Sequence, residues 1–231
     1  MDIVYFIKDG VRNEEFRYSL RSVATNMKYD RVWVFGGCPV NIVPDVRIRV
    51  SQSGITKWDR VRNMFKMACE NKELSEDFIL FNDDFFVMQP TEEITPLYRC
   101  TLEKHIMLLN SKFLNRTSEY SKLLMRCQEE LIRLGQPQLS YELHTPFVFN
   151  KKLLLNMLNT FPEQHCTRTL YGNLYNIGGE QSNDVKIFSV KPKFDYKNSQ
   201  FLSTEDTIVN VNNDVWRWLQ KQFPKKCKYE I

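Results

Sequence analysis

Hydrophobic positions in the first ninety residues alternate between the spacing of a strand and that of a helix. A compact apolar run over residues 3–7 predicts a buried first strand. Apolar residues at helical spacing then predict an amphipathic helix over residues 14–28. The same two patterns predict strands at 32–35, 46–50 and 78–81 and a further helix over 57–73. Strands that alternate with helices are typical of crossover units, so we expect a largely parallel sheet with helices on both faces.

The middle of the chain, about residues 92–165, is more helical. An apolar stripe predicts a helix over 120–134, which Gly135 and Pro137 end, and a second helix is expected at 151–160. A strand is predicted at 185–190 and a last helix at 213–223. The sequence contains no linker, repeat or low-complexity tract. It therefore favours one continuous α/β domain over residues 1–231, with a Rossmann-like, mostly parallel sheet flanked by helices.

Composition narrows the class of protein. The 231 residues are 42% hydrophobic and 13% aromatic, which is typical of a folded chain with a substantial core. A formal charge of +4 suits an anionic substrate but falls short of the strongly basic surface of a nucleic-acid module. The six cysteines are scattered without a Cys-x-x-Cys pair, which favours reduced thiols in a cytoplasmic protein. We expect no signal peptide or membrane span, because no stretch reaches 18 apolar residues.

Two adjacent carboxylates, Asp83 and Asp84, follow the apolar run that ends at Phe81. An unpaired carboxylate beside a hydrophobic core loses most of its hydration, which is costly. A divalent cation offsets that cost, because Mg²⁺ and Mn²⁺ prefer carboxylate oxygens and often complete their coordination with substrate phosphates. The alternative is a strand followed by a polar turn whose acids are solvated. The position at the carboxyl end of a strand favours a ligand site, because ligands of parallel sheets bind there.

Four segments of the chain resemble, in order, conserved blocks of the Stealth family of sugar-phosphate transferases. Residues 13–22 (NEEFRYSLRS) are similar to the family's ELRYSLRS segment, and residues 75–86 (SEDFILFNDDFF) to its LSEHFIYFNDDFF block. His144, two positions before Pro146, is similar to the His-x-Pro of a third block. The fourth block, in which an Asn-Asp pair precedes FPxPSxFE, is similar to residues 202–206, 223–224 and 229–230. The chain also looks like the short glycosyltransferase-like proteins that phages encode.

The chain departs from the family pattern at three places. Glu205 stands where the family usually has Asn, and Cys227 stands near its usual Ser. The family's first block, around an N-terminal WVDG, is represented only by residues 6–10 (FIKDG). These departures leave open whether the transferred group is a sugar-1-phosphate, as in Stealth enzymes, or the sugar alone, as in GT-A glycosyltransferases.

The resemblance implies a GT-A-like fold that binds a nucleotide diphosphate sugar, most simply a UDP-sugar, through Mn²⁺ or Mg²⁺. It gives Asp84 the role of direct metal ligand, and Asp83 that of a second ligand or a contact to the sugar. Asp206 is the candidate third ligand, with a solvated loop acid as the alternative. Asn82, directly before the two acids, is expected to contact the bound nucleotide.

The resemblance also raises His144 to a candidate catalytic residue. Histidine titrates near neutral pH, so its neutral ring can remove a proton from an acceptor hydroxyl. There are two alternatives for His144: it is a metal ligand, or its ring is only hydrogen-bonded beside a proline turn. Arg168 lies in an irregular polar and aromatic stretch, where its guanidinium can bind phosphate oxygens or stand solvated at the surface.

Further basic residues follow the first and third predicted strands. Arg12 and Arg17 lie where GT-A folds hold the nucleotide, or they belong to a solvent-facing helix with Glu14 and Glu15 as charge partners. Lys57 and Arg60 open the next predicted helix, whose N-terminus is suited to a phosphate.

The acceptor and the reaction stay open at this stage. A cell-surface glycan is the acceptor that the family implies. For a phage-borne gene, a hydroxymethylated DNA base is the alternative, with basic residues 221–228 and Lys191, Lys193 and Lys197 against the DNA backbone. A catalytically degenerate protein that only binds a glycan or nucleotide is the non-enzymatic alternative.

Overall fold

The computed structural model describes residues 1–10, 12–51, 56–112, 117–188, 194–210 and 213–231. These residues divide into two compact units, each built from separate stretches of the chain. The first unit contains residues 1–94, 144–151 and 185–231, and the second contains residues 95–143 and 152–184. The chain thus passes between the units several times. One continuous catalytic domain over 1–231 stays a prediction.

The elements alternate along the chain as follows. The described strands are β1 (Asp2–Ile7), β2 (Val32–Gly36), β3 (Val46–Ile48), β4 (Asp77–Phe81), β5 (Phe85–Val87), β6 (Leu97–Tyr98), β7 (Phe147–Asn150), β8 (Glu180–Gln181), β9 (Lys186–Ile187) and β10 (Phe201–Thr204). The described helices are α1 (Glu14–Asn26), α2 (Lys57–Glu70), α3 (Leu102–Lys112), α4 (Glu119–Arg133), α5 (Lys151–Thr160), α6 (Thr167–Leu174), α7 (Asp206–Asn210) and α8 (Asp214–Gln222).

The first unit is built around a mostly parallel sheet, as predicted. Among the described residues its strand order is β3-β2-β1-β4-β7, and β7 alone runs antiparallel. Strands β1, β2 and β4 are almost entirely buried, which explains their near-continuous apolar sequences. At the end of β2 the backbone comes so close to β1 that a Cβ on Gly37 would lie 2.4 Å from the Lys8 carbonyl oxygen.

Helices α1 and α2 cover opposite faces of this sheet. Successive side chains of a strand point to opposite faces, and the neighbours Tyr5 and Phe6 of β1 show this directly. The Tyr5 ring contacts Phe16 of α1 with centroids 4.9 Å apart, and the Phe6 ring contacts Phe65 of α2 at 4.8 Å. The expectation of a mixed α/β fold with a parallel sheet flanked by helices is therefore confirmed, and it is compatible with a Rossmann-like fold.

A second, small sheet in the same unit has the order β5-β10-β9. One edge of β5 pairs with β10, and the other edge lies against α1, whose side chains satisfy its backbone groups. The Ser19 hydroxyl donates to the Phe85 carbonyl, the Val87 amide donates to the Ser22 hydroxyl at 3.0 Å, and Asn26 donates to the Val87 carbonyl at 2.7 Å. The serines of the segment at 13–22 therefore protect a sheet edge that would otherwise be unpaired.

The second unit is largely helical. The helices predicted at 120–134 and 151–160 correspond to α4 and α5, while α3 and α6 were not predicted. The short strands β6 and β8 pair in parallel, and the Tyr141 hydroxyl donates to the Gly178 carbonyl at 2.8 Å. Helix α6 contains Gly172, directly against the Tyr141 ring, where a Cβ would come within 2.5 Å of it. The sequence read as irregular there, and the helix begins without a side-chain cap.

Two predicted strands are shorter than expected, and the helix predicted over 57–73 ends at Glu70. The strand predicted at 46–50 is β3, which ends at Ile48, and the one predicted at 185–190 is β9, which contains Lys186 and Ile187. Residues 189–190 lie outside the described part of the chain. In the ranges that the structure describes, no helix is long and apolar enough to cross a membrane.

Candidate functional site

The candidate site begins where β4 ends. Asn82, Asp83 and Asp84 form the turn between β4 and β5, and the Phe85 amide donates to the Asn82 carbonyl at 3.2 Å. The two carboxylates therefore lie at the carboxyl end of a strand in the parallel part of the sheet, as predicted. In parallel α/β sheets this is the edge at which ligands bind. The chain then enters the small second sheet, which brings other polar side chains to the same edge.

Asp84 is buried, and its charge is compensated by groups far away in the sequence. Its Oδ2 accepts hydrogen bonds from Lys186 Nζ at 2.8 Å and from Ser203 Oγ at 2.6 Å. The register of the small sheet explains this meeting, because Ser203 pairs with both Phe85 and Lys186. A buried carboxylate is tolerated when it is paired and hydrogen-bonded, and Asp84 is both.

Asp83 is partly buried and less well compensated. Its Oδ2 accepts from Asn13 Nδ2 at 2.6 Å, while Asn13 Oδ1 accepts from the Phe16 amide and so caps α1. The pKa of Asp83 is raised to about 6, chiefly by burial and then by the negative charge of Asp84, while the hydrogen bond from Asn13 lowers it. Any additional positive charge at the site would therefore favour the ionised form of Asp83.

Glu15 is a further acid at this edge that the sequence did not indicate. The alternative that made Glu15 an exposed charge partner on α1 is wrong: it is 8% exposed, and its Oε1 accepts from Thr204 Oγ1 at 2.6 Å. The pKa of Glu15 is raised to about 8, chiefly by burial and also by the charges of Asp84, Asp83 and Asp206, while the hydrogen bond from Thr204 lowers it. At neutral pH its carboxyl group is therefore mainly protonated.

His144 lies beside the turn that carries the two aspartates. Its ring stands edge-on to Phe85 at 6.4 Å between centroids and edge-on to Phe188 at 6.1 Å. Phe188 is 58% exposed, and Lys186 Nζ lies 6.0 Å from the centre of its ring. The structure thus brings the predicted base close to the predicted metal ligands, together with an exposed aromatic ring that the sequence did not point to.

Asp206 is exposed at the first position of the short helix α7, two residues after β10 ends. Its charge raises the pKa values of both Asp83 and Glu15, which places it in the electrostatic environment of the turn. The sequence had connected it to the turn only through the family resemblance.

The donor set fits a divalent cation in its chemistry. Carboxylate oxygens are the ligands that Mg²⁺ and Mn²⁺ prefer, and the crowded negative charge at this edge already attracts one cation, the Lys186 ammonium. Within the described residues, no three His, Cys, Asp or Glu side chains are gathered closely enough to hold a metal ion. Asp83, Asp84 and Asp206 would therefore have to draw together around the ion.

The predicted nucleotide contacts are placed as follows. Arg12 is exposed directly before α1, and Arg17 forms an ion pair with Glu14 on the same helix. Lys57 is exposed at the first position of α2, which Thr56 caps, and Arg60 is partly buried one turn later. Their roles stay predictions.

Arg168 belongs to the second unit. It is 9% exposed, and its guanidinium donates to the Leu143 carbonyl at 2.7 Å, so the solvated alternative is wrong. This hydrogen bond helps to hold the segment before Leu143 against α6. A contact with phosphate stays a prediction.

The four segments that resemble family blocks contact one another in the first unit. The contacts join Asn13 to Asp83, Glu15 to Thr204, Asp84 to Ser203, Arg21 to Glu230 and the His144 ring to the Phe85 ring. Segments separated by up to about two hundred residues therefore form one cluster at the carboxyl edge of the sheet and along α1.

In comparisons of the sequence with known proteins, no family model matches the chain and no curated protein matches it. The resemblance to the Stealth family depends on the four segments themselves.

Proposed function

We propose that the protein is a metal-dependent, GT-A-like transferase that moves a sugar from a nucleotide diphosphate sugar, most simply a UDP-sugar, to a hydroxyl acceptor. The observation that carries this proposal is the cluster at the carboxyl edge of the sheet. It combines adjacent carboxylates, an ammonium and a histidine, each supplied by a different segment of the chain. Such a combination suits a substrate that carries phosphate and an acceptor that must lose a proton.

The donor is assigned to the acidic side of the cluster. Asp84, Asp83 and Asp206 would hold Mn²⁺ or Mg²⁺, which neutralises charge on the leaving phosphate and orients it. Asn82 lies in the same turn and is assigned to the nucleotide. The assigned cationic contacts to the nucleotide and its phosphates are Arg12, Arg17, Lys57 and Arg60, all of the first unit.

The acceptor is assigned to the side of His144. In its neutral form the imidazole accepts the proton of the attacking hydroxyl. Phe188 stands next to this ring and is largely exposed, so its face is available to the apolar side of a sugar ring. The base and the aromatic ring together favour a sugar hydroxyl as the acceptor.

A glycan fits the surface better than a hydroxymethylated DNA base. Two lysines of the basic tail already bind the protein: Lys226 donates to the Ile231 carbonyl at 3.1 Å, and Lys228 lies 3.5 Å from the Asp45 carboxylate. Lys197 is exposed, and Lys191 and Lys193 lie outside the described residues. Binding to duplex DNA at low salt that falls steeply with added salt would reverse this preference.

Transfer of the hexose together with its phosphate is the second candidate. It is favoured by the contacts among the segments that resemble Stealth blocks, including the pairing of Arg21 with Glu230 at the end of the fourth block. The two reactions use the same site and differ in the bond that breaks. Sugar transfer releases the nucleoside diphosphate, and sugar-phosphate transfer releases the monophosphate.

The deciding experiment incubates a panel of nucleotide sugars with the protein, Mn²⁺ or Mg²⁺ and a set of methyl glycosides, and identifies the released nucleotide by mass. We expect Asp84→Asn to lower the rate by about 100-fold or more, because a group that stabilises developing charge is lost. Asp77→Asn is the matched control, because Asp77 lies at the opposite end of β4, where its carboxylate accepts from Asn150. An Asp84→Asn protein with the native rate would refute the proposal, and nucleotide binding without turnover would indicate the degenerate binding protein.

A further inference from the structure

Lys186 is the cation at the acidic turn, and the sequence pattern did not single it out. It begins β9, and its side chain is 17% exposed. Its ammonium shares one oxygen of Asp84 with the hydroxyl of Ser203, which is fully buried. The signal in the sequence is a lysine within a mostly apolar predicted strand. The structure shows that this lysine is the cation that compensates the buried aspartate.

The Lys186 ammonium occupies the position that a metal ion at Asp84 would need. A divalent cation and an ammonium both seek the same carboxylate oxygens, and their like charges repel at short distance. A cation that binds Asp84 must therefore weaken or break the contact with Lys186. Removal of the ammonium, in contrast, leaves Asp84 as an uncompensated charge beside Asp83, which increases the demand for a cation.

The surroundings of Lys186 offer a second place for its charge. Phe188 lies two residues further along the chain, and Lys186 Nζ is 6.0 Å from its ring centre. The His144 ring stands edge-on to the same Phe188 ring. The ammonium is thus at the border between the buried carboxylate and the exposed surface beside the base. A phosphate at that surface would be within reach of a flexible lysine side chain.

We propose that Lys186 is an internal counter-ion that competes with a divalent metal ion for Asp84 and, once displaced, binds a phosphate of the donor. This inference rests on the proposed function. Binding of the metal and of the donor is then coupled, because the metal releases the ammonium that the donor uses. The free protein keeps its buried acid neutralised without a metal.

The test compares the wild-type protein with Lys186→Met and Lys186→Arg. Binding of Mn²⁺ is measured by the electron paramagnetic resonance signal of the free ion, and binding of UDP at saturating Mn²⁺ by calorimetry. We expect Lys186→Met to bind Mn²⁺ about 10-fold more tightly and UDP about 10-fold more weakly, a usual size for coupling between two ligands. Lys186→Arg keeps the charge and should stay close to the wild type in both.

Lys151→Met is the matched control. Lys151 is another buried lysine of the first unit, but its ammonium donates to the backbone carbonyls of Asn71 and Leu74. Its loss should affect stability without changing the affinity for Mn²⁺. If Lys186 matters only for folding, Lys186→Met should behave like Lys151→Met and keep the wild-type affinity for Mn²⁺.

The outcomes separate this inference from the proposed function. If the wild-type protein binds Mn²⁺ and UDP, and Lys186→Met binds Mn²⁺ with the same affinity as the wild type, the inference is overturned and the proposed function stands. No Mn²⁺ binding to either protein would overturn the metal role and the inference with it. If Lys186→Met unfolds without metal, recovery of its folded circular dichroism spectrum on addition of Mn²⁺ supports the inference, and failure to recover counts against it.

Discussion

The buried Glu15 makes stability depend on pH in a direction opposite to that of most acids. Its pKa rises from about 4.3 in an unfolded chain to about 8 in the folded protein, because burial and the nearby carboxylates disfavour its charge. Between these values the folded state binds the extra proton. The free energy of unfolding therefore falls as the pH rises from about 4 to about 8. Below pH 4 the penalty is absent, and above pH 8 it is complete.

Glu15→Gln removes this titration and keeps an oxygen that can accept from Thr204. From the two pKa values, the penalty on the wild-type protein is about 4 kcal/mol at pH 7 and about 5 kcal/mol at pH 9. At pH 4 it is roughly 0.2 kcal/mol. We therefore expect the variant to gain stability over the wild-type protein by these amounts as the pH is raised. At pH 4 the difference in the free energy of unfolding reflects only the replacement of the protonated acid by the amide. This constant difference is subtracted from the values at higher pH.

The measurement is urea unfolding of both proteins at several pH values between 4 and 9, followed by circular dichroism and tryptophan fluorescence. Coincident transitions in both signals justify the use of a single free energy. Glu14→Gln is the control, because Glu14 is the neighbouring residue, is partly exposed and pairs with Arg17. A stability difference between Glu15→Gln and the wild type that stays constant with pH would refute the assignment of Glu15 as a buried, neutral acid.

Two further predictions concern the ion pair between Arg21 and Glu230 and the catalytic role of His144. Arg21→Ala should lower the free energy of unfolding by about 3–5 kcal/mol, since it leaves the Glu230 carboxylate buried without the guanidinium that binds both its oxygens. Arg17→Ala, which removes a more exposed group 3.9 Å from Glu230, should cost about 1 kcal/mol or less; equal losses in the two variants would contradict the structure. His144→Gln should lower kcat by about 10²–10⁴-fold and leave the Kd for UDP unchanged. A loss of kcat below tenfold in steady-state kinetics would remove His144 from the role of base.

Local patterns in the sequence were sufficient to predict most of the first unit. Apolar runs with β-branched and aromatic residues gave β1, β2 and β4, and apolar residues at helical spacing gave α1 and α2. These signals are local, because the spacing that marks a strand or a helix extends over only a few positions. The same locality placed Asp83 and Asp84 at the end of a strand.

The tertiary structure decided which side chains complete the site. The partners of Asp84 are 102 and 119 residues away in the sequence, and Thr204 is 189 residues from Glu15. No local pattern encodes such pairings, because they depend on the register of β5, β10 and β9. Ser19 and Ser22 of α1 bind a strand edge, and Arg21 binds Glu230, which no local pattern indicates either. Short-range periodicity in the sequence determines where helices and strands form. The site is determined by the fold, because each charge that the fold buries must be compensated by a partner.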